Sequence, residues 1–413
     1  MTDLRLGPRP LPVHLAGAAM LWTSSRGASP LLKRGLLPWK PEFAPAAKAL
    51  RQSLAAVAAE DFVGAVDAEL IRRCDGFLAG LERYRRHPYR RTLADPPSLW
   101  QEGATRLLDF GPSGAPPVLV VPSLINRSYI LDLAPEKSLL RFLAAAGSRP
   151  LLVDWGKPAA LERQFNLTDY VAGRLERAAE AAIAATGAPL AVLGYCMGGL
   201  LALALAERRP AMVGALGLLA TPWDFHAERA GQAHLLGELA EPLARAFAAL
   251  GEVPVDVLQL LFAALDPLLA VRKFSRFAAL APGSAKEREF VALEDWLNDG
   301  VPLALPVARE CLGGWYGANT PGRGLWRVAG RSVLPERVVA PSLVVLPAHD
   351  RIVPPKTAEA LADALPGAER LTPSLGHVGM MVARDAGQQV WRPLAEWLRA
   401  KARTRGRRKR QPP

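Results

Sequence analysis

Cysteine is scarce in this chain: 413 residues carry three, Cys74, Cys196 and Cys311. None stands in a C-x-x-C pair or at metal-ligand spacing, and the odd number argues against a disulfide framework and for a reducing compartment. Regular internal periods are absent, which excludes a repeat array. Acidic residues are missing from the last stretch. Between Arg399 and Arg410 there are eight Lys or Arg and no Asp or Glu, two thirds of the formal net charge of +12. That stretch also lacks aromatic side chains, so a nucleic-acid site built on base stacking is excluded there. It reads either as a solvated, disordered tail (401–413) or as an attachment to a polyanionic surface.

Two apolar segments imitate membrane signals. Leu11–Trp22 follows Arg5 and Arg9 in the manner of a signal peptide. It contains His14 and lacks a cleavage site, so it reads as a surface or lid-contacting segment. Leu190–Ala206 carries no charge and approaches the length of a membrane span. A strand-turn-helix reading with three internal glycines explains it better. The expectation is a cytoplasmic protein with no transmembrane segment.

What is present is a chain that is 50% hydrophobic, long enough for a large α/β domain plus an insertion. Residues 1–100 read as a helical N-terminal extension, with helical periodicity over Ala46–Ala59 and Phe62–Arg86 and a solvated basic turn at Arg85–Arg91. From there strands and helices alternate, which predicts a mainly parallel sheet covered on both faces. Strands are expected at Pro117–Val121, Pro150–Val153, Pro189–Leu193, Ala215–Ala220, Ser342–Leu346 and Glu369–Thr372. A helix over Asp169–Ala185 is expected to start at a Thr168 cap and stop at Gly187, and Val390–Lys401 reads as a closing helix. Between Phe225 and Val339 the alternation lapses. The core is therefore placed at 101–224 and 340–400, and 225–339 as an inserted helical lid.

The densest signal is Gly194-Tyr195-Cys196-Met197-Gly198-Gly199. An apolar strand precedes it and an apolar helix follows, which is the G-x-nucleophile-x-G elbow of an α/β-hydrolase fold with cysteine in the nucleophile position. The glycines permit a tight turn and close backbone approach. The turn presents the Cys196 sulfur and leaves the Met197 amide at a helix N-terminus, where an oxyanion can bind. A thiol nucleophile forms a thioester, which passes on its acyl group more readily than an oxoester does.

Such a nucleophile needs a base, and the base needs an orienting acid. In this fold the acid follows the nucleophile and the histidine comes last. Asp350, after the strand Ser342–Leu346, and His377, after the last strand, stand in that order. His349 is assigned a flanking role, Cys74 and Cys311 packing roles, and His226 and His234 places on the surface. The second oxyanion donor is sought in Val121-Pro122-Ser123-Leu124. Pro122 has no amide hydrogen, which leaves Ser123 or Leu124, and Leu124 is preferred.

Several blocks together give the chain a resemblance. They are Val121-Pro122-Ser123-Leu124-Ile125-Asn126-Arg127-Ser128-Tyr129-Ile130-Leu131-Asp132-Leu133, Val153-Asp154-Trp155-Gly156, Asp169-Tyr170-Val171, the elbow, Thr221-Pro222-Trp223-Asp224-Phe225, Asp350-Arg351-Ile352-Val353-Pro354 and Gly376-His377-Val378-Gly379. Over about residues 100–400 the chain resembles polyhydroxyalkanoate synthases, nearest to the short class III catalytic subunits. The resemblance implies polymerisation of (R)-3-hydroxyacyl-CoA with release of CoA. Cys196 would carry the chain as a thioester, His377 would activate the thiol, and Asp350 would assist the attacking 3-hydroxyl. It implies no metal or cofactor, since acyl-CoA enters as substrate. It also implies a homodimer or a second synthase subunit, and work at a polyester granule surface. The N-terminal 100 residues, the basic tail and the patchily matched lid depart from the pattern. Two other readings stay open: an intracellular polyester depolymerase or thioesterase of the same fold, and a non-catalytic granule-associated protein.

Overall fold

A computed structural model describes residues 4–410, with side chains through residue 403. The chain divides into two compact units, one of Met1–Arg90 with Gln259–Asn298, the other of Arg91–Leu258 with Asp299–Pro413.

The second unit is built on an eight-stranded sheet. In chain order its strands are β1 (Ser98–Glu102), β2 (Thr105–Asp109), β3 (Pro117–Val121), β4 (Arg149–Asp154), β5 (Leu190–Tyr195), β6 (Val213–Leu219), β7 (Ser342–Val345) and β8 (Glu369–Leu371). Their spatial order is β1-β2-β4-β3-β5-β6-β7-β8. The six strands from β4 to β8 pair in parallel, as expected, whereas β1 and β2 add an antiparallel edge that the alternation did not announce. Strands β3 and β4 are buried at every position, as a parallel strand covered on both faces must be. Strand β5 feeds the helix Met197–Arg208, whose residues from Met197 to Ala206 are all buried.

The helix expected from Asp169 begins as a wide π-turn, Asp169–Leu175, and continues as Glu176–Thr186. Gly187 stops it in the left-handed conformation, φ 65°. Thr168 does not cap it. Thr168 is itself helical, and its hydroxyl accepts from the Ala329 amide. Asn166 takes the role, its side chain accepting from the Asp169 amide at 3.1 Å while Asp169 accepts from the Asn166 amide at 2.9 Å. Nor is the basic turn wholly solvated, because Arg91 binds the buried Asp132 carboxylate at 3.1 Å. The closing helix, Arg392–Arg410, runs past the expected Lys401. Leu394, Ala395, Trp397 and Leu398 anchor it, and Arg and Lys, good helix formers, prolong it. Side chains from residue 404 onward, and residues 411–413, where most of the basic tail falls, lie outside the described residues.

The first unit contains the helices Leu11–Arg34, Ala44–Leu54, Ala59–Arg86, Leu269–Ala278 and Ala285–Asn298. Its core is Ala18, Phe77, Leu81, Tyr84, Phe274, Phe277 and Val291, with Trp22 packed against it. The apolar segment Leu11–Trp22 is thus the first half of a helix that joins this core through Leu11, Ala18 and Trp22. The region 225–339 is likewise not one body. Its middle joins the N-terminal helices because Phe274 and Phe277 fill the face presented by Phe77, Leu81 and Tyr84. Only Phe225–Leu258 and Asp299–Val339 stay with the sheet unit.

Candidate active site

The elbow forms where β5 ends. Cys196 adopts φ 56° and ψ −129°, a backbone conformation that costs a non-glycine residue of the order of 1–3 kcal/mol and that clusters at active sites. The neighbouring glycines make it possible. A Cβ on Gly194 would run into the Cα of Gly199, one on Gly198 into the Val121 and Pro122 carbonyls, and one on Gly199 into the Thr221 side chain. The paired glycines are therefore where three strand ends, β3, β5 and β6, close on the turn.

Asp350 and His377 meet there. Asp350 follows β7, and its Oδ1 accepts from the Ile352 and Val353 amides, each at 2.8 Å. Its Oδ2 lies 2.7 Å from His377 Nδ1, and both side chains are buried. With Nδ1 engaged, Nε2 is the nitrogen left for the thiol, and His377 hydrogen-bonds the Cys196 side chain. Burial alone would lower the imidazole. The charge on Cys196 and the hydrogen bonds to Asp350 and Cys196 outweigh it and push His377 up to about 10. The structure thus brings a carboxylate, an imidazole and a thiol together in that order, the arrangement a nucleophile with a base and an orienting acid would need.

His349, though adjacent to Asp350, is exposed and turns to Ser374 Oγ at 3.2 Å. Burial pushes the Cys311 thiol up, which suits a packing residue. His226 is half-buried and donates from Nε2 to the Tyr316 carbonyl at 2.7 Å. His234 is exposed, its ring centroid 4.3 Å from that of His226.

For the oxyanion, Met197 is the first residue of its helix, and Leu124 is buried in the loop after β3. Neither amide donates a hydrogen bond among the described residues. That loop is fixed from two sides. Trp155 Nε1 donates to the Pro122 carbonyl at 3.0 Å, and Ser128 Oγ donates to Asp154 at 3.2 Å. The block Thr221–Phe225 is latched to the distant Asn319, which accepts from the Phe225 amide at 3.0 Å and donates to Asp224 at 2.8 Å.

Sequence reasoning missed Tyr195 and Tyr316. Burial, then the charges on Cys196 and Asp350, pushes the Tyr195 phenol up. Burial, then the charges on Cys196 and Cys311, does the same to Tyr316. Tyr195 sits inside the elbow motif and could have been read. Tyr316 had no local signal.

The family model described as alpha/beta hydrolase fold matches residues 116–383. The chain is 30% identical over 292 residues to a "poly(3-hydroxyalkanoate) polymerase subunit PhaC" of Haloarcula marismortui (68% of this chain, 60% of that protein). Over 291 residues it is 30% identical to the protein of that name from Synechocystis sp. (68% and 77%). It is 28% identical over 298 residues to the one from Allochromatium vinosum (70% and 83%). The chain thus spans about six tenths of the haloarchaeal protein.

Proposed function

Because this chain belongs to the α/β-hydrolase fold family and, within it, to the poly(3-hydroxyalkanoate) polymerases, we propose that it is a polyhydroxyalkanoate synthase acting through a Cys196–His377–Asp350 triad. The observation that carries the reading is the 2.7 Å Asp350–His377 contact behind a cysteine held at a strained elbow.

In the proposed reaction His377 Nε2 takes the Cys196 proton. The thiolate attacks the thioester carbonyl of (R)-3-hydroxyacyl-CoA, and the oxyanion is held by the amides of Met197 and Leu124. The carbon–sulfur bond to CoA breaks, CoA leaves with the proton from the imidazolium, and the acyl group stays on Cys196 as a thioester. A 3-hydroxyl, deprotonated with the help of Asp350 and His377, then attacks an acyl thioester. An ester bond forms and a thiol is released, so no external oxidant or cofactor is needed. Phe225–Leu258 and Asp299–Val339 serve as the lid that keeps water from competing with the hydroxyl. Tyr316 belongs to that lid, and the charge on Cys196 adds to burial in raising its phenol.

The enzyme is proposed to work at a polyester granule surface in the cytoplasm, as a homodimer or with a second synthase subunit. No helix among the described residues is long and apolar enough to cross a membrane. The purified protein, incubated with 3-hydroxybutyryl-CoA alone and with a candidate partner subunit, should release free CoA and form insoluble polyester. Soluble 3-hydroxy acid without polymer would replace the synthase reading with a hydrolase. No CoA release in either arm would favour a non-catalytic role.

A further inference from the structure

Tyr195 occupies the residue before the nucleophile, and both ends of its side chain are directed at His377. Its hydroxyl donates to the His377 main-chain carbonyl at 3.2 Å in a buried setting. Its ring lies beside the imidazole, with centroids 5.1 Å apart and planes inclined by 30°. The next turn of chain is fixed independently, because the Gly376 carbonyl accepts from Met380 and the Val378 carbonyl from Met381. The His377 carbonyl between them takes Tyr195. The last residue of β5 thus reaches across to the loop after β8 and holds the residue on which the triad depends.

We propose that Tyr195 is a positioning residue, fixing His377 through its hydroxyl and favouring the imidazolium through its ring face. An aromatic face attracts an adjacent cation, more so away from water. A buried carbonyl deprived of its donor would let the loop shift. His377 therefore has a third partner besides Cys196 and Asp350. The titratable groups facing His377 are Cys196 from the elbow, Asp350 from the loop after β7, and Tyr195 itself. Tyr316 faces Cys196, and His349 is turned away to Ser374.

This inference rests on the proposed triad, so its test avoids polymerase activity. The full-length protein is treated with iodoacetamide from pH 5 to pH 10, and alkylation of the Cys196 peptide is timed by mass spectrometry. Wild type, Tyr195→Phe, Tyr195→Leu and His377→Gln are compared, with folding checked by circular dichroism. Tyr195→Leu should lower the alkylation rate at pH 6 by about tenfold while leaving the rate at pH 10 nearly unchanged. Tyr195→Phe, which keeps the ring, should lower it by about threefold. His377→Gln should abolish the fast reaction at pH 6. If Tyr195→Leu fails to fold, the Tyr195→Phe rate decides. Tyrosine variants that match wild type, beside a slow His377→Gln, would overturn the role of Tyr195 and keep the triad. A wild type no faster than His377→Gln would overturn both.

Discussion

Around Cys196 the chain is organised by the absence of side chains; around Phe274 it is organised mainly by their bulk, with one glycine, Gly80, leaving room for the Phe274 carbonyl. At the elbow, Gly194, Gly198 and Gly199 let three strand ends approach until a single methyl group would collide with backbone or, at Gly199, with the Thr221 side chain. In the unit of Met1–Arg90 and Gln259–Asn298, rings fill space. Phe274 meets Phe77 at 6.5 Å, Tyr84 at 5.5 Å and Phe290 at 5.4 Å, all edge to face. The first arrangement accepts strain to place one atom. The second has no strained residue at its centre and gains from buried area. Disturbing the first should change chemistry or block closure, whereas disturbing the second should cost stability in proportion to volume.

The largest expected effect is on chemistry. Cys196→Ala should lower CoA release about 10⁴-fold or more with little change in unfolding midpoint, because alanine inherits the same backbone strain. Measurable turnover at a wild-type rate would remove the mechanism. Next, Phe274→Ala should destabilise its unit by about 3–5 kcal/mol, seen as an earlier calorimetric transition. Gly198→Ala probes the opposite regime. The added methyl meets the Val121 carbonyl rather than a flexible side chain, so about 3 kcal/mol should be lost, read from urea unfolding. A neutral result there would show that the strand ends can part, and the contrast between the two regions would collapse.

The smallest effect per step is a slope. His377 is held at about 10, above its ordinary 6.5, so the folded state binds the extra proton between those values. The associated stability is fully present below pH 6.5 and is lost as pH rises toward 10, at no more than about 1.4 kcal/mol per pH unit. Unfolding free energies measured across that window should fall more steeply for wild type than for His377→Gln.

The contrast also explains what could be read in advance. Elbow, strand ends, Asp350 and His377 were legible because each lies on a locally patterned element in a fixed chain order. The aromatic core was not, since Phe274 and Phe277 look like any apolar helix face until they meet Phe77 and Tyr84, nearly 200 residues away. The Thr168 cap was misplaced because Asn166 and Asp169 form a reciprocal pair that competes better for the free amides. The edge strands β1 and β2 had no alternation to announce them. Tyr195 is flagged by its place in the elbow but its contact is not, because its partner is a main-chain carbonyl from another loop and no residue type records that.

The left-handed turn at position 196 is fixed by its neighbours and not by its own sulfur. Thr221, Val121 and Pro122 dictate where glycine must stand, and none of them senses which element tips the side chain. The scaffold is therefore indifferent to whether a thiol or a hydroxyl sits there. An exchange of one atom, Cys196→Ser, should therefore leave the turn and the unfolding midpoint as they are, whatever it does to the chemistry.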